Sequence, residues 1–381
     1  MATPVTQSKR SHKREELFEK FSRNLDAIKQ EEFVQLEPDI PGTYICPLCT
    51  RIFTKDALDQ NIYPNPLTLE HVPPEALGGK PIVLTCKDCN SRCGADIDVE
   101  LLKKHNWQAF NQRVPGAVVD AKIELHDGRR ITGTISNRGA NGLDIHLFKN
   151  GGRETAKKGK CPQIVQDDIK EHGIQKGALN FKLYKKRYPE AALLRIAYLL
   201  GFATFGNGFL LNSNLEKVRE QIVSPEKEIL DDFGILPYDF SSYEAGLYVV
   251  VEPEELQAFL AIFRIGGNCT CNVLLPGPSD PGLDVYNYLA THDLANDTSI
   301  NLVIRKCPGR DYLANEENKF DATRIWNALV AGNYQTLWKK IWKILIQKPM
   351  AAARILWPKT LKSSKGSSRR SSAKRRSTSP S

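Results

Sequence analysis

No run of twenty residues in this chain is both apolar and free of charge. The nearest approach, Ile196 to Leu215, carries three glycines and three asparagines, so no membrane span is expected. The first fourteen residues, Met1 to Arg14, are polar and basic and lack the apolar centre of a secretory leader. No internal repeat is found. The 41% hydrophobic and 25% charged fractions exclude collagen-like, coiled-coil and largely disordered chains. A length of 381 residues argues for two or three domains. Acidic residues are missing altogether after Pro358, where eight lysines and arginines fall in a Ser-rich tail. Without those eight, the remainder holds 45 basic residues against 44 acidic, so the formal net charge of +9 resides almost wholly in the tail. Residues 358–381 are therefore expected to be a disordered basic arm, suited to contact with phosphate backbones.

Disulfide chemistry is also poorly represented. Nine cysteines are an odd count, and without a leader they point to a reducing, cytoplasmic compartment and to thiols used as metal ligands. Cys46/Cys49 and Cys86/Cys89 form two CxxC knuckles separated by 36 residues. Two such knuckles supply the four sulfur ligands of a tetrahedral structural Zn²⁺ site. Four thiolates close the coordination sphere, so that ion would organise the fold and leave the chemistry to its neighbours. Cys93, Cys161, Cys269, Cys271 and Cys307 show no comparable pairing.

The apolar pattern divides the chain into an α+β assembly. Residues 13–36 carry Leu17, Phe18, Phe21, Leu25 and Ile28 at helical spacing, which predicts an N-terminal amphipathic helix. A motif-dense domain spans 40–106. Residues 115–150 alternate apolar and polar positions about an Asp127-Gly128 turn, predicting a small β-rich domain, a sheet or a barrel of SH3-like kind. Residues 155–357 read as an α+β C-terminal region. Within it, helices are predicted at about 189–211 and 215–223, and short strands between 246 and 305. Residues 319–357 are read as a helix with Trp326, Trp338 and Trp342 on one face. That face is read as core packing, and an anionic membrane surface is the alternative partner for it and the tail.

Between the knuckles the sequence reads LTLEHVPPEALGG, and after the second comes NSRCGADID. LTLEHV is strand-like and sets Glu70 and His71 before a Pro-Pro turn. In the helix that follows Cys89, Asn90, Gly94 and Asp98 lie four apart and share a face. A zinc joining strand to helix would bring these groups together.

The combination CPLC, LTLEHVPPEALGG and LTCKDCNSRCG, over about residues 44–105, resembles the HNH endonucleases, a branch of the ββα-metal nucleases. The resemblance implies a metal-dependent endonuclease that hydrolyses DNA phosphodiester bonds. It makes His71 the general base toward water, Glu70 the acid that often binds the catalytic divalent ion, and Asn90 the helix residue that binds or orients that ion. The implied catalytic cation is Mg²⁺ or Mn²⁺. Asp98 has no fixed counterpart and is read as a further ligand or a partner of His71. The sequence also departs from the pattern. Gly79-Lys80-Pro81-Ile82-Val83 stands where the family's middle asparagine falls, which bears on the loop beneath the site. DNA is the expected partner and RNA the lesser one; phage, mobile-element and anti-phage defence settings all fit. The alternative is a zinc-stabilised nucleic-acid-binding protein that has lost catalysis.

Overall fold

The computed structural model describes residues 4–30, 39–124, 130–147, 180–181, 184–236, 238–253, 256, 258–267, 269–277, 285–286, 302–307 and 353–355. Helix α1 (Pro4–Gln30) buries the predicted stripe: Leu17, Phe18, Phe21, Leu25 and Ile28 are all 3% exposed or less. The motif-dense segment begins with a short antiparallel pair, β1 (Tyr44–Ile45) and β2 (Ile52–Phe53), around the first knuckle. A longer antiparallel hairpin follows, β3 (Leu67–Val72) with β4 (Lys80–Cys86). The chain then enters a helix in three consecutive parts: α2 (Lys87–Cys93), a π-helical turn (Gly94–Asp98) and α3 (Val99–Asn111). This is a ββα unit with the second knuckle at the strand-to-helix junction.

Strands β5 (Val118–Glu124), β6 (Arg130–Asn137), β7 (Leu143–Leu147) and β8 (Asn180–Phe181) form an antiparallel sheet in the order β7-β6-β5-β8. Among the described residues this sheet is open, and no closed barrel is formed. Its small core, Val119 and Ile135, rests on Trp107 and Phe110 of α3.

Helix α4 (Tyr188–Phe205) continues into a 3₁₀ segment, Gly206–Leu211, and precedes α5 (Asn214–Val223). Apolar residues surround α4 on all sides, as in a helix enclosed by its own protein. The stretch Tyr188–Leu210 is long and apolar enough to cross a membrane, and 89% of its most apolar window is buried inside this fold. Its neighbours are α1, α3, the β3–β4 hairpin and the C-terminal sheet. That sheet is antiparallel, in the order β11-β10-β9-β12-β13, built from β9 (Gly246–Glu252), β10 (Ala258–Ile265), β11 (Cys269–Pro276), β12 (Leu302–Lys306) and β13 (Ala353–Ile355). A single hydrophobic core runs through α1, the ββα unit, α4, α5 and this sheet.

One expectation shifts here. The predicted 319–357 helix lies outside the described residues except at 353–355, which form an edge strand on β12. The Trp326, Trp338 and Trp342 face, the Asp127-Gly128 turn and the basic tail also lie outside the described residues.

Aromatic rings join α1 to the rest. Phe21 stacks on Phe202 of α4 with centroids 4.8 Å apart, and Phe18 stacks on Tyr44 at 6.0 Å. Tyr44 is fully buried, so its hydroxyl must find partners inside. It donates to the Leu84 carbonyl at 2.6 Å and accepts from the Leu84 N–H at 3.1 Å, closing the outer edge of β4. Tyr44→Phe keeps the ring and leaves both Leu84 backbone groups unpaired. The expected cost is about 1–3 kcal/mol, read from urea unfolding.

Candidate active site and zinc cluster

Cys46, Cys49, Cys86 and Cys89 bring their sulfurs within 4.8 Å of one another. The Cys49–Cys86 separation is 3.7 Å. A tetrahedron with metal–sulfur bonds of about 2.3 Å has edges of about 3.8 Å, so this spacing suits Zn²⁺. The Cys86 N–H points at Cys46 Sγ over 3.5 Å. The Arg51 guanidinium approaches Cys49 Sγ at 3.4 Å and Asp88 at 3.2 Å. Packed this closely, the thiols cannot keep ordinary acidities. Cys49 and Cys86 are drawn below the usual thiol range, first by hydrogen bonding from Cys46, while burial pushes Cys46 up. A divalent soft cation would resolve the conflict by taking all four as thiolates. The cluster is therefore consistent with a structural zinc.

Strand β3 places Glu70 and His71 beside each other with opposite fates. Successive strand residues face opposite sides, and here the ladder also slips: Glu70 faces Val83 while His71 faces Pro81, which skips Ile82. Pro81 has no N–H to give the ladder, so a bulge is natural there. The turn beyond is fixed by Gly78 and Gly79. Gly78 has φ +87°, and a Cβ on Gly79 would fall 1.4 Å from the Pro73 carbonyl oxygen, so no other residue fits without moving the backbone. This Gly-Gly close approach shapes the loop that lacks the family's middle asparagine.

The His71 ring is 22% exposed, with Nε2 4.0 Å from Glu75 Oε2. Burial lowers its pKa below the ordinary histidine value; Glu75 opposes that shift and Arg10 reinforces it. Arg10, on α1, also approaches Glu75 at 3.8 Å. A neutral imidazole at the open end of a strand, beside a guanidinium, can accept a proton from water.

Glu70 is turned inward and is only 3% exposed. Its Oε1 lies 2.5 Å from Arg195 Nη2, and its Oε2 accepts from the Thr85 hydroxyl at 2.9 Å. Arg195 comes from α4, and its side chain is 1% exposed. Its Nη1 donates to both Asp98 oxygens at 2.8 Å. The Glu70 contact is close but off the hydrogen-bonding direction, since Nη2 and Nε of Arg195 make no well-aligned bond. Burial pushes Asp98 up to about 6, against the pull of Arg195, and Cys93 up to about 11. One guanidinium thus serves two carboxylates in a closed, water-poor cluster.

Asn90, on α2, donates from Nδ2 to Thr68 Oγ1 at 2.9 Å and to the Leu69 carbonyl at 3.2 Å, tying helix to strand. The structure therefore brings Glu70 and Asp98 together through Arg195, and anchors Asn90 beside them on the hairpin. It places His71 apart, toward Glu75 and Arg10. Of the residues expected to hold a divalent ion, Glu70 and Asn90 from the resemblance and Asp98 from its helical spacing, the two acids do not present open oxygens. Glu70 and Asp98 are committed to an internal cation, whereas Asn90 uses its NH2 group on Thr68 Oγ1 and the Leu69 carbonyl and contributes at most its Oδ1 to a metal.

Arg195, Arg10 and Glu75 were not read from the sequence as site residues. Arg195 looks like an interruption of an apolar helix, and its charge was the one available signal: a cation enclosed by apolar neighbours needs an acid.

Two outcomes are expected here. Cys86→Ser loses the metal and the folding of the ββα unit, read by zinc content and circular dichroism. Arg195→Leu strands two buried acids and costs about 3–5 kcal/mol in urea unfolding, while adding Glu70→Gln and Asp98→Asn recovers much of that loss.

The family model of HNH endonucleases matches residues 46–106, under a fifth of the chain. Curated proteins and solved structures yield no match to the chain. The matched span begins at the first cysteine of the cluster, contains Glu70, His71 and Asn90, and ends in α3. Residues 46–106 are accordingly a domain of the HNH endonuclease family, built around a possible zinc-binding cluster of four cysteines.

Proposed function

We propose that this chain is a nuclease that hydrolyses phosphodiester bonds of DNA, with His71 as the general base. The observation that supports the reading best is the setting of His71. It sits at the open end of β3 within the HNH domain, with burial and Arg10 favouring the neutral ring. In that role Nε2 or Nδ1 takes a proton from the attacking water, Glu75 stabilises the imidazolium that results, and Arg10 faces the phosphate. Zinc at the four cysteines would hold hairpin and helix in register and take no part in bond breaking. The resemblance also implies Mg²⁺ or Mn²⁺ at Glu70 and Asn90, with Asp98 a further candidate ligand from its spacing. The engagement of Glu70 and Asp98 with Arg195 does not suit it.

Substrate attraction cannot rest on the adjoining cleft. The cleft of about 960 Å³ along α1 carries Arg10, Arg14 and Lys55, but also Glu15, Asp56 and Asp59. Three cations offset by three carboxylates give no net pull on a polyanion. The basic tail is the stronger source of sequence-independent affinity, which would fall steeply with salt. RNA is the lesser substrate. A second reading, a nucleic-acid-binding protein without catalysis, draws support from the burial of Glu70 and Asp98 around Arg195.

Nicking of supercoiled plasmid by the purified full chain, beside His71→Ala prepared identically, tests the proposal. Loss of rate by about 10²–10⁴-fold is expected, with zinc content and DNA binding retained. The pH profile supplies a further check. A base with a lowered pKa stays neutral to below pH 6.5, so the rate should hold level above that value and fall only as the medium becomes more acidic. Equal cleavage by both proteins would remove His71 from the mechanism; binding without cleavage by either would favour the second reading.

A further inference from the structure

The acid cluster of the HNH domain already holds a cation. Arg195 reaches Glu70 at 2.5 Å and Asp98 at 2.8 Å, and its side chain is 1% exposed. It is supplied by α4, outside the span that matches the family. A guanidinium and a divalent ion compete for the same lone pairs of a carboxylate, and two cations within one buried acid pair repel strongly. Thr85 occupies the second Glu70 oxygen, and Asn90, whose NH2 group is held by Thr68 and Leu69, has only its Oδ1 to offer, one oxygen where a divalent ion needs several. Arg195 is also hemmed in. It is among the largest fully buried side chains of the described residues, and its same-face helix neighbours Ala191, Ala192, Tyr198 and Leu199 are buried as well. Moving it aside would place an unpaired charge in apolar surroundings.

We infer that the Arg195 guanidinium is the resident cation of the Glu70–Asp98 pair, standing where the family resemblance implies a divalent metal ion. Arg195 is in this respect a positioning residue: it touches no substrate and holds the acid that flanks the general base. The chain's metal requirement would then be the four-cysteine site alone. The inference concerns what binds Glu70, and it stands or falls independently of whether His71 cleaves DNA.

Mn²⁺ binding followed by electron paramagnetic resonance tests it on the zinc-loaded full chain, with wild type, Glu70→Gln, Arg195→Met and Arg195→Lys compared. Wild type and Glu70→Gln are expected to bind Mn²⁺ equally weakly, with no site that depends on Glu70. Arg195→Met, where it folds, should gain one Mn²⁺ site tighter by on the order of a hundredfold, the scale on which a neighbouring unit charge acts. Arg195→Lys, which restores the positive charge, should lose that gain. One equivalent of Mn²⁺ bound by wild type and removed by Glu70→Gln would overturn the inference. Failure of Arg195→Met to fold leaves the decision with the wild-type and Glu70→Gln pair, which still answers either way.

Discussion

A positive charge buried in the middle of an apolar helix sets the terms for the rest of this structure. Arg195 cannot be hydrated where it lies, so it must be met by anions, and Glu70 and Asp98 meet it from two different elements. The cluster therefore fixes three things at once: the rotation of α4, the direction of the Glu70 side chain and the position of the π-helical turn that ends in Asp98. The contrast with surface pairs is large. Arg10–Glu75, with side chains 52% and 68% exposed, belongs to a class that contributes about 0–1 kcal/mol, whereas removing one member of a buried cluster costs several-fold more. A buried ion cluster is not a strong source of net stability. What it enforces is pairing, because a packing of α4 that drew Arg195 away from Glu70 and Asp98 would leave a buried charge unpaired.

The HNH domain shows why such help is needed. A segment of this size buries too little apolar surface to be secure alone. The four sulfurs join the β1–β2 turn to the junction of β4 and α2, and one face of the unit leans on α1 and α4. Phe21, Tyr44 and Phe202 make the aromatic seam of that contact, and the Tyr198 hydroxyl donates to the Pro47 carbonyl within the first knuckle at 2.9 Å. Knuckle, hairpin and α4 thus belong to one packed body, continuous with the C-terminal sheet. A change in that sheet has a short path, through α4, to the strand that carries His71.

Local order was the legible part. The α1 stripe, the two knuckles, the LTLEHV strand and the apolar runs that became β9 to β12 follow from periodicity and ligand spacing, which act over a few residues. Long-range pairing was not legible in the same way. Nothing near Arg195 in the sequence names Glu70 or Asp98, which lies 97 residues away. A reading confined to the motif therefore gave both acids to a metal. The spacing of Asn90, Gly94 and Asp98 suggested a shared helical face, but the π-helical turn between 94 and 98 alters the phase of the helix. The β-rich stretch had the alternation of a barrel, yet alternation reports only that one face is buried. Trp107 and Phe110 of α3 supply that cover, and the sheet stays open.

Adjacent residues with divergent surroundings give the site its logic. Glu70 and His71 are one peptide bond apart, and the strand sends one into a dry cluster and the other toward solvent. The bulge at Pro81 makes the separation firm by breaking the ladder just where the side chains part. In an arrangement where the acid binds a metal, the ion would couple the two residues through the substrate. Here the acid is satisfied internally, so His71 depends on its own neighbours, Glu75 and Arg10, for charge balance. Both are half-exposed or more, and their influence is correspondingly softened by water. Burial accordingly leads the depression of the His71 pKa, and the two charges act on it with opposite signs. The basicity of His71 is therefore set mainly by how the hairpin packs, and that packing is in turn held by Arg195.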